Sequence, residues 1–208
     1  MSNVIRVFFI QSLRHGWPAY LVVLAAFFTG VFAGTAGVDR LSHEQSLQLS
    51  SVLDRFILQA GSVETAPDKT GTALYDDTVL ILSIYILGLS VIGIPVMLGL
   101  LFFRGFVLGF AVQFLTREKA AQGIALALAA VFPQNLFLVP ALLIGGVASL
   151  SFSVLLARRF FNSAIAVWPG FVGYSGLMAV LGALAACAGA VEVYLTPLLI
   201  KTVAHYFF

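Results

Sequence analysis

The sequence predicts an all-α membrane protein, a polytopic helical bundle with about five to six transmembrane helices, some of them broken or re-entrant. Three observations predict it. Of the 208 residues 61% are hydrophobic and only 10% are charged, with a mean hydropathy of +1.04, more apolar surface than a soluble domain of this size can cover. The apolar residues fall in runs long enough to span hydrocarbon, separated by charges or Gly/Pro breaks. The runs are also interrupted, at Gly93-Ile94-Pro95, Arg104-Gly105 and Pro133-Gln134-Asn135, by groups that a membrane span tolerates only where protein or a wet cavity covers them. Residues 1–208 read as a single membrane domain.

Residues 1–18 carry Arg6, Arg14 and His15 with no acid, and the apolar run Ala19 to Val38 follows. By the positive-inside rule this segment is cytoplasmic and the run is the first span. A cleaved signal peptide is the competing reading, with small residues at Gly34-Thr35-Ala36. The basic region is long for a signal peptide, and its Phe8-Phe9-Ile10 suits an interfacial helix better. Gly30 and Gly34 form a small-xxx-small pair suited to close helix packing.

Residues 39–77 form the one extended polar segment, with acids at Asp39, Glu44, Asp54, Glu64, Asp68, Asp76 and Asp77 against Arg40, Arg55 and Lys69. The low share of basic residues fits an external loop. Within it, Ser42 and Gln45 make a capping box. Leu49, Val52, Leu53, Phe56, Ile57 and Ala60 then recur at helical spacing until Gly61. The apolar stripe of this amphipathic helix has three uses open to it: docking a partner, lying in the outer interface, or packing on the protein's own spans. Ser62 to Ala73 reads as a loop.

The run from Thr78 to Phe103 is divided at Gly93 and Pro95, with Pro95 expected as the first residue of a new helix. That helix carries Arg104 and the pair Gly105 and Gly109, and is expected to end in water at Arg117-Glu118-Lys119. A second divided segment follows, broken at Pro133 and again marked by Pro140. Arg158-Arg159 on the cytoplasmic side requires an odd number of crossings from Asp77, and three suits the length. Three simple crossings put Arg117 outside; a re-entrant segment would move it. The last span is expected over Phe171 to Val191, leaving Glu192 near its end and the short tail outside.

The chain offers no catalytic set. His15, His43 and His205 lie at opposite ends or in the outer loop, and Cys187 is the single cysteine, so neither a nucleophile with its base nor a metal site is called for. No phosphate-cradling motif occurs, no cofactor is implied, and the net charge of +2 forms no nucleic-acid stripe. The prominent groups are instead Arg104, Gln134, Asn135 and Glu192, polar residues in or near the bilayer. Arg104 has two readings, snorkelling to a headgroup or pairing inside the bundle with Glu192. Gln134 and Asn135 either satisfy backbone freed by Pro133 or bind a solute.

With these segments placed, the chain resembles the stage II sporulation protein M family. The resemblance is carried by Ile92-Gly93-Ile94-Pro95-Val96, Arg104-Gly105-Phe106-Val107-Leu108-Gly109-Phe110, Phe132-Pro133-Gln134-Asn135-Leu136, Val139-Pro140 and Glu192-Val193-Tyr194-Leu195-Thr196-Pro197. It implies a non-enzymatic scaffold of the engulfment machinery, in the mother-cell septal membrane. Its implied partners are membrane lipid and two peptidoglycan-degrading proteins, stage II sporulation proteins P and D. The external helix is then the expected contact surface. A transporter or permease-like subunit, with a polar path at the broken helices, is the alternative. The glycine pairs serve either internal packing or a homo-oligomer.

Overall fold

The computed structural model describes residues 17–61, 67–161 and 167–207. Six helices make up nearly all of it: α1 Trp17–Asp39, α2 His43–Gly61, α3 Pro67–Gly88, α4 Gly93–Ala130, α5 Phe132–Phe161 and α6 Trp168–Phe207. Among the described residues four stretches, Trp17–Asp39, Gly93–Glu118, Phe132–Phe160 and Trp168–Ile200, are by length and composition able to cross a membrane. The protein is thus an integral membrane bundle with somewhat fewer spans than the five to six expected. α3 is not among the four, because its first turns carry Asp68, Lys69 and Thr70, although it too runs between the two ends of the bundle.

α1 is apolar on every side, so hydrophobic contrast cannot choose its buried face; residue size does. Its buried residues, Val23, Phe27, Gly30, Gly34 and Val38, recur every three or four positions, while Leu21, Phe28 and Phe32 point outward. The seam meets α4 through two facing glycine pairs. A Cβ on Gly30 or Gly34 would strike the carbonyls of Phe102 and Phe106, and one on Gly105 or Gly109 would strike those of Phe27 and Val31. Both pairs therefore serve packing inside the chain, at a separation only glycine permits.

These contacts make α1 and the first arm of α4 parallel. The remaining helices alternate: α3 is antiparallel to α4 across a short turn at 89–92, α5 runs parallel to α3, and α6 returns against both. Trp17, the 89–92 turn, Arg158 and Trp168 lie at one end of the bundle. Asp39, α2 and Arg117 lie at the other, where Arg117 donates to the Val38 carbonyl at 3.2 Å and to Asp39 Oδ1 at 3.1 Å. Three passages consequently separate α2 from Arg158, with Arg117 at the α2 end.

Several boundaries differ from those read off the sequence. Pro67 opens a helix where a loop was expected to run to Ala73, because its fixed φ and missing N–H suit a first turn. α4 starts at Gly93, with Pro95 in its first turn rather than at its first residue. Helical hydrogen bonding then continues past Arg117 instead of stopping there, yet the axis reverses. A Cβ on Gly123 would strike the Leu115 carbonyl, although a straight helix would carry these residues about 12 Å apart. The arm from Gly123 to Ala130 folds back on the first and is about 12 Å long, too short to cross a bilayer of about 30 Å. The chain breaks at Val131, so Pro133 sits in the first turn of α5. Pro140 breaks nothing: it lies inside α5, which stays helical from Phe132 to Phe161. α6 continues through Glu192 and Pro197 to Phe207, well beyond the expected end at Val191.

The main core lies between α3, α5 and α6, where Ile84, Leu138, Leu142, Tyr174 and Ala185 are fully buried. A smaller cluster at the α2 end gathers Leu115, Ala127, Ala129 and Ile200, with Leu53 of α2 packed on it.

Candidate functional site

Four polar side chains meet inside the bundle, one from each of α3, α4, α5 and α6. Asp77 stands on the buried face of α3, at helical spacing with Ile81, Ile84 and Gly88. Its carboxylate is 3% exposed and accepts from Arg104 Nη2 of α4 at 3.4 Å. The other oxygen accepts from Gln134 Nε2 of α5 at 2.8 Å. The same Gln134 nitrogen donates to Glu192 Oε2 of α6 at 2.6 Å. A carboxamide carries two N–H donors, so one amide serves two acids, and the acceptors on both sides fix which end of it faces them. The cluster stands about 16 Å along α3 from the turn at the Trp17 end.

The sequence brings three of these four to notice but mispairs them. Arg104 bonds Asp77 rather than Glu192, and Glu192 is held through Gln134. In the sequence Asp77 reads as the last acid of the outer polar segment. Its spacing to Ile81 and Ile84 is the signal that places it on the inner face, while Asp76 is exposed. Asn135 donates from Nδ2 to the Val131 carbonyl at 2.7 Å, at the break before α5. Among the described residues its buried Oδ1 has no partner, nor has Thr196 Oγ1 one turn beyond Glu192. Gln134 makes no such backbone bond; its amide is given to the two carboxylates.

A second polar layer, of hydroxyl groups, closes the far end of α3. Ser149 Oγ donates to the Ile84 carbonyl at 2.9 Å, Tyr174 Oη to the Tyr85 carbonyl at 2.9 Å, and Ser153 Oγ to the Gly88 carbonyl at 2.8 Å. The Ser149 and Tyr174 oxygens stand 2.7 Å apart, so either hydroxyl can bond the other in place of its carbonyl. The last carbonyls of a helix have no partner of their own and must find one where water is absent. Helical spacing of Ser149 and Ser153 is the only hint of this layer in the sequence.

At the opposite end, α2 keeps its capping box: the Ser42 amide donates to Gln45 Oε1 at 3.0 Å and the Gln45 amide to Ser42 Oγ at 3.3 Å. Ser50 Oγ donates to Glu118 Oε2 at 2.9 Å, tying α2 to the apex of α4. Leu49 is half-buried and Leu53 packs on the bundle, whereas Val52 is 64% and Leu47 56% exposed. The side chains of Phe56 and Ile57 lie outside the described residues. Part of the predicted stripe thus serves self-packing, and the outward face is formed by Leu47, Ser51, Val52 and Arg55. A recess of about 280 Å³ opens at the foot of α2, lined by Val38, Leu41, His43, Ser46, Arg117 and Glu118.

Chemically, the central cluster joins four helices by charge-assisted bonds, and the α2 end presents an ordered polar surface with apolar points. Among the described residues no group of three or more His, Cys, Asp or Glu could hold a metal ion. In comparisons with known proteins, a family model described as Stage II sporulation protein M matches residues 22–197. No curated protein and no solved structure matches the chain.

Proposed function

The chain belongs to the stage II sporulation protein M family, and so is a sporulation-related membrane protein; on that premise we propose that it is a non-enzymatic scaffold localising peptidoglycan hydrolases at the engulfing septal membrane. The observation that carries this reading is the state of α2. An isolated amphipathic helix on a loop would fray, but this one is capped at its start, bonded to Glu118 and seated through Leu53 on the end of the bundle. What it turns outward is Leu47 and Val52 beside a polar recess, the mixture of apolar anchors and polar rim that partner surfaces use. The central cluster supports the same role, because it makes the body beneath α2 a rigid mount. In this reading the N-terminus and Arg158-Arg159 are cytoplasmic, α2 faces the septal space, and the hydrolases it holds are stage II sporulation proteins P and D.

The test is capture of those two proteins by the tagged chain, solubilised in mild detergent from cells early in engulfment. Both should co-purify with the unaltered chain, and Leu47→Asp with Val52→Asp should abolish their recovery while membrane insertion is unchanged. Full recovery with the double variant would remove α2 as the contact surface.

A further inference from the structure

At the Trp17 end, the 89–92 turn, the last turns of α5 and the start of α6 border an open cleft of about 380 Å³. Leu89, Phe152, Leu156 and Phe171 form its walls, and Arg159 and Trp168 stand among its lining. Phe152 and Phe171 lie against each other at 6.1 Å, and the Trp168 ring packs on Phe171 at 5.8 Å while remaining 73% exposed. We infer that this cleft binds an anionic phospholipid, one acyl chain lying on the apolar walls and the headgroup phosphate held by Arg158 and Arg159.

Charge decides the class of lipid. The acids of the chain are Asp39, Glu44, Asp54, Glu64, Asp68, Asp76, Asp77, Glu118 and Glu192, so none lies in 1–38, 78–117 or 119–191. Every described residue of the Trp17 end falls in those stretches, and the end carries two adjacent exposed arginines in the last turn of α5. Guanidinium groups match phosphate oxygens in a planar fork, and basic recesses between membrane helices recognise anionic headgroups in this way. α6 starts at the same cleft, so the positive end of its dipole adds to the attraction. An exposed Trp beside the cleft marks the headgroup level. The volume suits a bound hydrocarbon segment, within the range of about 300–1,000 Å³ common to small-ligand sites.

The chain has two tryptophans, so Trp17→Phe leaves Trp168 as the only indole and a reporter of the cleft. In nanodiscs, phosphatidylglycerol with brominated acyl chains should quench Trp168 at a lower mole fraction than brominated phosphatidylcholine does. The preference should fall about fivefold for each arginine lost in Arg158→Gln with Arg159→Gln, and should largely survive Arg158→Lys with Arg159→Lys. Equal quenching by the two brominated lipids would mean that Trp168 merely touches bulk lipid, and would overturn the inference. So would a preference that persists in the double glutamine variant. If that variant fails to insert, Arg159→Gln alone carries the comparison.

Discussion

Gln134 donates its side-chain amide to the Asp77 carboxylate at 2.8 Å, joining the first turn of α5 to the middle of α3 across the interior of the bundle. The same nitrogen holds Glu192 at 2.6 Å, so one amide keeps two acids in place. Replacing it with an apolar residue of similar size leaves the buried Asp77 and the half-buried Glu192 facing each other with Arg104 alone to balance them. Hydrogen bonds to charged groups contribute about 1.5–3 kcal/mol each. Interhelical bonds within membranes average nearer 0.6 kcal/mol because the unfolded state finds other partners, but this amide serves charged acceptors in a closed site and belongs with the stronger class. Gln134→Leu should therefore lower stability by about 2–3 kcal/mol, read as an earlier thermal unfolding midpoint in detergent. A midpoint like that of the unaltered protein would show that the clasp adds nothing.

Arg104 and Asp77 predict a non-additive pair. Arg104→Met alone leaves the Asp77 carboxylate, only 3% exposed, without its cation, a loss of about 3–5 kcal/mol for a buried pair broken on one side. Asp77→Asn alone keeps an acceptor oxygen for a guanidinium that is itself 28% exposed, so it should cost less. Combining the two removes both charges and should recover part of the loss, giving a coupling of about 1–3 kcal/mol in a double-mutant cycle. Strict additivity would deny the interaction.

Much of this arrangement is legible in the sequence, and the places where it is not share a cause. The helical class, the seam glycines, the capping box of α2 and the polar character of Arg104, Gln134 and Glu192 follow from composition and spacing, which act locally. Which acid Arg104 meets depends on how helices line up across the bundle, and nothing local states that. Asp77 was hidden by its neighbour Asp76, since a charge pair beside a polar segment looks like the end of that segment until the spacing to Ile81 and Ile84 is followed. The reversal of α4 was hidden differently. Arg117-Glu118-Lys119 looks like a stop in water, whereas the chain stays helical and folds back, with Gly123 allowing the return. Pro140 and Pro197 look like stops as well, but α5 and α6 stay helical through them.

The α1–α4 seam predicts a sharp contrast among glycines. A side chain at Gly105 would enter the backbone of Phe27, and the two helices could separate only by losing the whole seam. Gly105→Leu should cost more than the 1–3 kcal/mol or so typical of overpacking, because the obstacle is main chain and cannot change rotamer. Gly99 on the same helix and Gly176 on α6 have open space at the Cβ position, so Gly99→Leu and Gly176→Leu should be stable and helix-favouring. Folded yield after size-exclusion chromatography in detergent separates the two outcomes. Equal yields for Gly105→Leu and Gly99→Leu would contradict the close seam.

Tyr174 allows its ring and its hydroxyl to be weighed separately. The ring stacks on Phe152 at 4.7 Å and on Tyr85 at 5.3 Å, and the side chain is fully buried. The hydroxyl caps the Tyr85 carbonyl and meets Ser149, which still holds the Ile84 carbonyl without it. Tyr174→Phe keeps the stack and leaves one buried carbonyl without its partner, so about 1–3 kcal/mol should be lost. Tyr174→Ala removes the ring as well and opens a cavity between α3, α5 and α6, which raises the loss to about 3–5 kcal/mol, the range of large aromatic truncations. Because α3 is the helix least able to hold itself in a bilayer by composition, its end at Gly88 should respond first. Hydrogen exchange at Ile86 to Gly88 should rise in Tyr174→Phe while exchange in α1 stays unchanged. Exchange that rises evenly across the bundle would place the role of Tyr174 in general packing rather than at the end of α3.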